Sequence, residues 1–323
     1  MTAETTPAAK PASTQQHSTS YKDFWNAKAR TVTGAMIAVD GSADEDVLRL
    51  TGAYSRRQVE LALQLQATDR VFEIGCGVGR IGREIAPNVA AWHGLDISDN
   101  MIEVARERLA GFANVAVSTL SRSHLDPLDD ESMDKGYCVA VFIHMDKEDF
   151  LLYLQEVARV LVPGGLFYFD TWNLAHPVGW RRYHYEVMQA SRNDPRERKD
   201  VARNQFCVPA EVELYARQAG LEVVLTLTHS PWVQMVVRKP GPGTAPDLSA
   251  HATQIAYTPL WTELFDKTLD VLLEGRHPLA MIAELDHDTR GPEIAMYRAW
   301  LDALWRENPQ NWAGAELPAG TIP

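Results

Sequence analysis

The sequence predicts an α/β fold: a seven-stranded, mostly parallel, doubly wound sheet that ends in an antiparallel hairpin. Three observations carry this. Residues 71–80, Val-Phe-Glu-Ile-Gly-Cys-Gly-Val-Gly-Arg, run from a buried apolar stretch through alternating glycines into helical spacing at Ile81, Ile85 and Ala86. That is a strand, a turn and a helix, the opening βα unit of a parallel sheet. Beyond it, short apolar runs alternate with amphipathic helical stretches as far as residue 219. Two runs, 221–228 and 232–238, are then separated only by His229-Ser230-Pro231, which reads as a closing hairpin.

The bulk properties are those of a globular chain. Its 323 residues are 46% hydrophobic, enough for one large domain or one domain with an appendage. With 31 basic and 43 acidic residues the formal charge is −12, which argues against nucleic acid or an anionic membrane as the main partner. Cys76, Cys138 and Cys207 have neither pair nor metal spacing, so a reducing, cytoplasmic setting without a metal is expected. No apolar run approaches the ~18 residues of a membrane helix, and the N-terminus lacks the apolar core of a secretion signal.

Residues 1–20 are Thr, Ala, Ser, Pro and Gln with almost nothing apolar and read as a disordered tail. From Tyr21 the composition changes. A helix is expected from Tyr21 toward Arg30, with Phe24 and Trp25 on it, a second over 44–51 and a third over 54–66. Tyr21, Phe24 and Trp25 suit a ligand contact and plain packing equally well. The first strand and its glycine turn follow, then a helix over 80–86 and a second strand, 90–95, ending at Asp96. A carboxylate at the end of the second strand of a doubly wound fold accepts hydrogen bonds from ribose hydroxyls. Ser98 or Asp99 caps a helix over 100–110. The third strand is 115–117, followed by Ser118-Thr119-Leu120-Ser121. The acidic stretch 129–134 leads to a fourth strand over 136–143, with His144 directly after it, where ligands bind in open sheets. A helix over 147–160 is stopped by Pro163, and Gly164 and Gly165 turn the chain into a fifth strand, 166–170.

Residues 171–207 form an insertion rich in aromatic and basic side chains, with a charged run at 192–200. It suits a flat or anionic substrate, and equally a solvated loop with aromatic anchors. A helix over 209–219 with Gly220 at its end precedes the hairpin. Lys239–Ser249 is rich in Pro and Gly and reads as a linker. The expected organisation is a tail (1–20), a main domain with N-terminal cap helices (21–240), a linker (241–250) and a helical extension (251–323). In the extension, helices are expected over 259–273, 278–285 and 293–306. Three short helices bury too little alone, so they pack on the main domain, on a second subunit as a homodimer, or on both.

The glycine spacing is G-x-G-x-G, not the G-x-G-x-x-G of dinucleotide folds, and Glu73 stands two residues before the first glycine. A carboxylate there would repel a pyrophosphate and suits a cationic amino-acid head. This stretch resembles motif I of the class I S-adenosylmethionine (SAM)-dependent methyltransferases. Gly94-Leu-Asp-Ile-Ser98 is similar to their second motif, and Arg159-Val-Leu-Val-Pro-Gly-Gly165 resembles their turn before strand five, with Val162 for the usual Lys. Many relatives carry an Asp just after strand three, which this chain lacks, leaving backbone, Leu120 or Ser121 to meet the adenine. The resemblance covers about residues 21–240. It implies SAM as cofactor, S-adenosylhomocysteine as product, and a binding set of Trp25, Glu73, Gly75, Cys76, Gly77, Gly79, Arg80, Asp96, Ile97, Met101, Leu120 and Ser121. It also implies methylation of oxygen or nitrogen in a small molecule, with aromatic compounds and secondary metabolites among the candidate acceptors. His144 is the first candidate for a general base, and a histidine simply packed by the cofactor is the competing reading; His176 and His184 are weaker candidates. Two rivals stand beside this: a non-methylating SAM enzyme such as a cyclase, and a SAM-binding scaffold acting through the helical C-terminus.

Overall fold

The computed structural model describes residues 20–190 and 203–315. The sequence-based tail, apart from Ser20, and the charged run at 192–200 lie outside them. The sheet is built around β1 (Arg70–Ile74), flanked on one side by β2 (Ala91–Asp96) and β3 (Val115–Thr119). On the other side come β4 (Met133–Cys138) and β5 (Leu161–Asn173), with β6 (Phe206–Cys207) added beside the end of β5. The sequence closes with β7 (Glu222–Leu227) and β8 (Trp232–Arg238), giving the order β3-β2-β1-β4-β5-β8-β7. Strand β8 is antiparallel to both of its neighbours, and β1–β5 pair in parallel. The seven-stranded, mostly parallel sheet with its terminal hairpin is therefore present, extended by the two-residue β6.

Helices cover both faces and extend around the ends. Ahead of the sheet lie α1 (Tyr21–Lys28), α2 (Val32–Asp40) and α3 (Glu45–Leu63). The short α4 (Gly82–Ile85) and α5 (Asp99–Arg108) follow β1 and β2, and α6 (Lys147–Val160) precedes β5. Next are α7 (Pro177–Ala190) and α8 (Pro209–Gln218), then α9 (Ala252–Ile255), α10 (Pro259–Leu273), α11 (Pro278–Leu285) and α12 (Pro292–Glu307). Phe72, Ile74, Cys138, Phe167 and Phe169 fill one core with α6 and α8, while Val71, Tyr137 and Tyr168 pack under α3 on the other face.

Several elements differ from the sequence expectation. Helices 44–51 and 54–66 are one continuous α3. Gly52, between the two expected helices, lies inside it, and a Cβ there would stand 2.9 Å from the Arg80 carbonyl oxygen. The glycine serves close approach of α3 to the turn after β1. Helix α2, absent from the sequence reading, is capped by the Thr31 hydroxyl, which accepts from Gly34 N, and by Gly41 at φ +75°. Strand β4 ends at Cys138 rather than at Ile143. Val139–Ile143 has strand composition, but Ala140 adopts φ +58° and the chain turns away from the sheet. Strand β5 begins at Leu161, so Pro163-Gly164-Gly165 lies within it, at a register shift opposite Met133–Lys135. Gly164 N and Lys239 N there exchange hydrogen bonds with Lys239 O and Gly165 O.

The C-terminal helices pack on the main domain. Tyr257, Trp261, Leu264, Tyr297 and Leu301 form one cluster with Trp172, Phe206 and Trp232 at the end of the sheet, and Tyr54 of α3 joins it. Trp172 and Trp232 stack with centroids 4.1 Å apart. Arg181 of α7 pairs with Asp266 and Asp270 of α10 and with Glu274 just after it. No described helix is long and apolar enough to cross a membrane.

Candidate active site

Parallel strands that end together leave a crevice at their C-terminal edge where the order reverses. Here that point is between β1 and its neighbours, and a cavity of about 220 Å³ lies there. Its floor is Glu73–Gly77 at the end of β1. One wall is Asp96 and Ile97 after β2, with Met101 and Leu120. The opposite wall is Val139–Val141 and Ile143–Met145, after β4. Tyr21, Trp25, Ala38 and Val39 of α1 and α2 close it from above.

The glycine turn is shaped by what crosses it. Gly75 and Gly77 have φ +70° and +52°, and a Cβ on them would stand 2.4 Å from Val141 Cγ2 and 2.6 Å from Val39 Cγ2 respectively. Side chains at these positions would fill the cradle and strain the backbone. The cap is tied down by specific bonds. Asn26 Oδ1 accepts from Ser98 Oγ at 2.7 Å and from Asn100 N at 3.2 Å, and Tyr21 Oη accepts from Asp146 N at 2.8 Å. Ser98 also caps α5, so one serine fixes both the helix start and the lid above it.

Charge is unusually concentrated in this cavity. Glu73 is 3% exposed, and its Oε2 accepts from Tyr137 Oη at 2.7 Å; Tyr137 Oη in turn accepts from Trp92 Nε1 at 2.9 Å. Burial pushes the Glu73 carboxyl up to about 8, against the Tyr137 bond and the Arg80 charge. Asp96 is also buried. Its Oδ2 accepts from Gly77 N at 2.9 Å and its Oδ1 from Ser98 N at 2.8 Å, while burial raises it to about 6. Arg80 reaches Ser55 Oγ at 3.3 Å and lies 3.9 Å from Asp40, whose own carboxyl is raised by burial. The Arg80 Nε is buried without a hydrogen-bond partner among the described residues. A buried, unsatisfied guanidinium N–H beside a buried carboxylic acid suits a ligand that carries both charges.

The pH dependence of Glu73 follows from its environment. The folded protein retains a proton on Glu73 up to about 8, whereas an ordinary glutamate loses it near 4.5. Its stabilising contribution is thus present below 4.5 and is lost as pH rises through about 8. Glu73→Gln is expected to remove this slope, by an amount on the order of a few kcal/mol. Thermal melts of the free protein at pH values on either side of the window measure it. An unchanged slope in the variant would place the titration elsewhere.

Most of the residues expected from sequence meet in the cavity: Trp25, Glu73, Gly75, Cys76, Gly77, Arg80, Asp96, Ile97, Met101, Leu120 and His144 all line it. Two do not. A Cβ on Gly79 would meet Leu109 Cδ1 at 2.8 Å, so this glycine serves packing behind the turn. Ser121 is exposed and turned away, and Ser123, whose hydroxyl donates to Asp149, lines the cavity instead. His144 lies in a 3-10 turn, Phe142–His144, with its ring 5.1 Å from that of Trp25. His176 and His184 belong to the start and body of α7 and do not line this cavity; the His176 Nδ1 accepts from Val178 N. Val39, Ser123 and Tyr153 line the cavity without any signal in the sequence. Asp170, an acid at the end of an expected strand, was such a signal, and its side chain supports the wall at Ala140. Among the described residues no group of three or more His, Cys, Asp or Glu side chains is placed to hold a metal ion.

Residues 71–165 match a family model described as a methyltransferase domain. Methyltransferase GfsG of Streptomyces halstedii is 33% identical over 124 residues, which is 37% of this chain and 44% of that protein. Demethylmenaquinone methyltransferase of Tropheryma whipplei (strain Twist) is 34% identical over 116 residues, 36% of this chain and 47% of the relative. A ubiquinone biosynthesis O-methyltransferase of Neisseria meningitidis serogroup A is 27% identical over 160 residues, 49% and 65% of the two chains. The chain spans about half the length of the first of these relatives. The match runs from β1 into β5 and so contains the glycine turn, Asp96 and the wall after β4. Over residues 71–165 the chain is thus similar to a methyltransferase domain.

Proposed function

We propose that this protein transfers the methyl group of SAM to an oxygen or nitrogen atom of a small-molecule acceptor. The observation that carries the reading is that Glu73 and Arg80 both line the cavity beside the Gly75–Gly77 cradle, with Asp96 on the adjoining wall. An ammonium group suits Glu73, because a cation there favours the ionised form of a carboxyl that burial keeps protonated; a carboxylate suits the unsatisfied Arg80 Nε, and a ribose diol suits the Asp96 carboxylate. Trp25, Met101 and Leu120 offer apolar surface for a flat base, in place of the carboxylate missing after β3. When bound, SAM supplies an electrophilic methyl group on a sulfonium. The chain's own contribution is then to hold the acceptor in line and to keep water out, and orientation of this kind accounts for much of a displacement's acceleration. Asn26 and Tyr21 hold the cap that excludes water. His144, on the cavity wall beside Trp25, is the candidate to accept a proton from an acceptor hydroxyl. The names of two relatives, a demethylmenaquinone methyltransferase and a ubiquinone biosynthesis O-methyltransferase, support a small molecule as acceptor.

Metabolite extracts incubated with the protein and isotope-labelled SAM are expected to yield a new methyl-labelled product by mass spectrometry. Tight SAM binding with no labelled product from any extract would favour a scaffold or a non-methylating enzyme. With the acceptor in hand, His144→Ala is expected to slow turnover by about 10²-fold or more while SAM affinity is retained. Full turnover in that variant would remove the base role.

A further inference from the structure

The wall of the cavity after β4 depends on a residue far along the chain. Ala140 lines the cavity at φ +58°, a conformation that crowds the Cβ of an L-residue. Such a conformation persists where the surroundings over-determine it. Its N–H donates to Asp170 Oδ1 at 2.6 Å, and Asp170, in the C-terminal part of β5, is fully buried. The other carboxylate oxygen accepts from the hydroxyl of Tyr257 at 3.0 Å. Tyr257 lies between α9 and α10, and its own position is fixed. Its N–H donates to Gln234 Oε1 at 2.9 Å, and Gln234 Nε2 donates to Tyr168 Oη at 2.7 Å and to Ile255 O at 3.0 Å. The Tyr257 ring packs 4.1 Å from that of Trp261.

We propose that Tyr257 is a positioning residue of the cofactor site, holding Ala140 in the left-handed region through Asp170 and thereby setting the wall that carries Val141 and His144. The proposal rests on reading the cavity as the SAM site. The hydroxyl matters because it satisfies the second oxygen of a carboxylate that water does not reach. Without that donor the carboxylate gains by reorienting, and the bond that over-determines Ala140 weakens. Val141 lies over Gly75, so a relaxed wall changes the cradle as well as the position of His144. The C-terminal segment is in this sense part of the site and not an attachment to it.

Two readouts in the full chain test this. Hydrogen exchange at the Ala140 amide is followed without ligand, and SAM affinity is measured by calorimetry. Tyr257→Phe, which keeps the ring, is expected to speed Ala140 exchange by about tenfold and to weaken SAM by about tenfold. Adding Ala140→Gly, which needs no restraint to occupy φ > 0, is expected to restore most of the affinity lost in Tyr257→Phe. Unchanged exchange at Ala140 overturns the proposal. So does faster exchange with unchanged affinity, and so does an affinity loss that Ala140→Gly fails to recover, which would assign Tyr257 to general packing. Should Tyr257→Phe not fold, Ala140→Gly alone is expected to raise the melting temperature by relieving the restrained conformation, and a lowered one overturns the proposal. Wild-type protein that binds no SAM would defeat the cofactor reading, while the ligand-free exchange measurement judges the Tyr257 relay separately.

Discussion

Deleting residues 249–323 is expected to abolish the soluble, cooperatively folded protein. The extension covers Trp172, Phe206 and Trp232 at the end of the sheet and packs on Tyr54 of α3. Each large apolar side chain returned to water costs about 1.5–3 kcal/mol, and a domain's whole margin is about 5–15 kcal/mol. Uncovering this group therefore removes most or all of the margin. The extension also grips the cap from outside. Trp300 Nε1 donates to Asp40 O at 3.1 Å, and Glu307 Oε1 accepts from Ser42 Oγ at 3.0 Å and from Ala43 N at 2.9 Å. Arg306 reaches Asp44 at 3.0 Å. The turn between α2 and α3 is thus held by α12, and Asp40 at the end of α2 lies 3.9 Å from Arg80. Size-exclusion chromatography and thermal melts check the outcome. A monomeric truncation with an unchanged melt and full SAM binding would show the extension to be dispensable.

Asp96→Ala is expected to weaken SAM and S-adenosylhomocysteine alike by tenfold or more, roughly 1.4 kcal/mol. Two effects point the same way. The variant removes the carboxylate proposed to meet the ribose, and it releases Gly77 N and Ser98 N, which Asp96 holds at 2.9 and 2.8 Å. On stability they oppose each other. Losing two backbone bonds costs about 0.5–1.5 kcal/mol each. Removing a buried acid that is raised to about 6 relieves a desolvation penalty at neutral pH. Calorimetry should therefore show a large change where the melt of the free protein shows a smaller one. Unchanged affinity for both ligands would sink the ribose assignment.

Much of this was legible in the sequence because the information was local. A strand, a turn with positive φ and a helix start need only neighbouring residues, so Glu73, Gly75, Gly77 and Asp96 could be placed on one crevice from their spacing. The terminal hairpin and the helices of the extension were equally readable from periodicity and capping. What failed had a tertiary cause. Val139–Ile143 has the composition of a strand, yet Asp170 captures the Ala140 amide and bends the chain out of the sheet. The expected helices over 44–51 and 54–66 leave out Gly52, yet α3 passes through it to lie against the Arg80 carbonyl. Ser121 and Ser123 are indistinguishable by spacing, and only the fold turns the second toward the cavity.

The chain's linear order alone determined the class of fold, the first crevice and the charges that suit an amino-acid head, because strand and helix periods and turn chemistry act within a few residues. The tertiary structure decided how those charges are tuned and what holds the walls. Burial by distant segments raises Glu73 and Asp96. Val39 and Val141 close over Gly77 and Gly75, Tyr257 reaches back 87 residues to Asp170 behind the wall, and Trp300 of α12 reaches back 260 residues to the cap. Desolvation and long-range hydrogen bonds depend on which parts of the chain meet in space, and no local pattern carries that information.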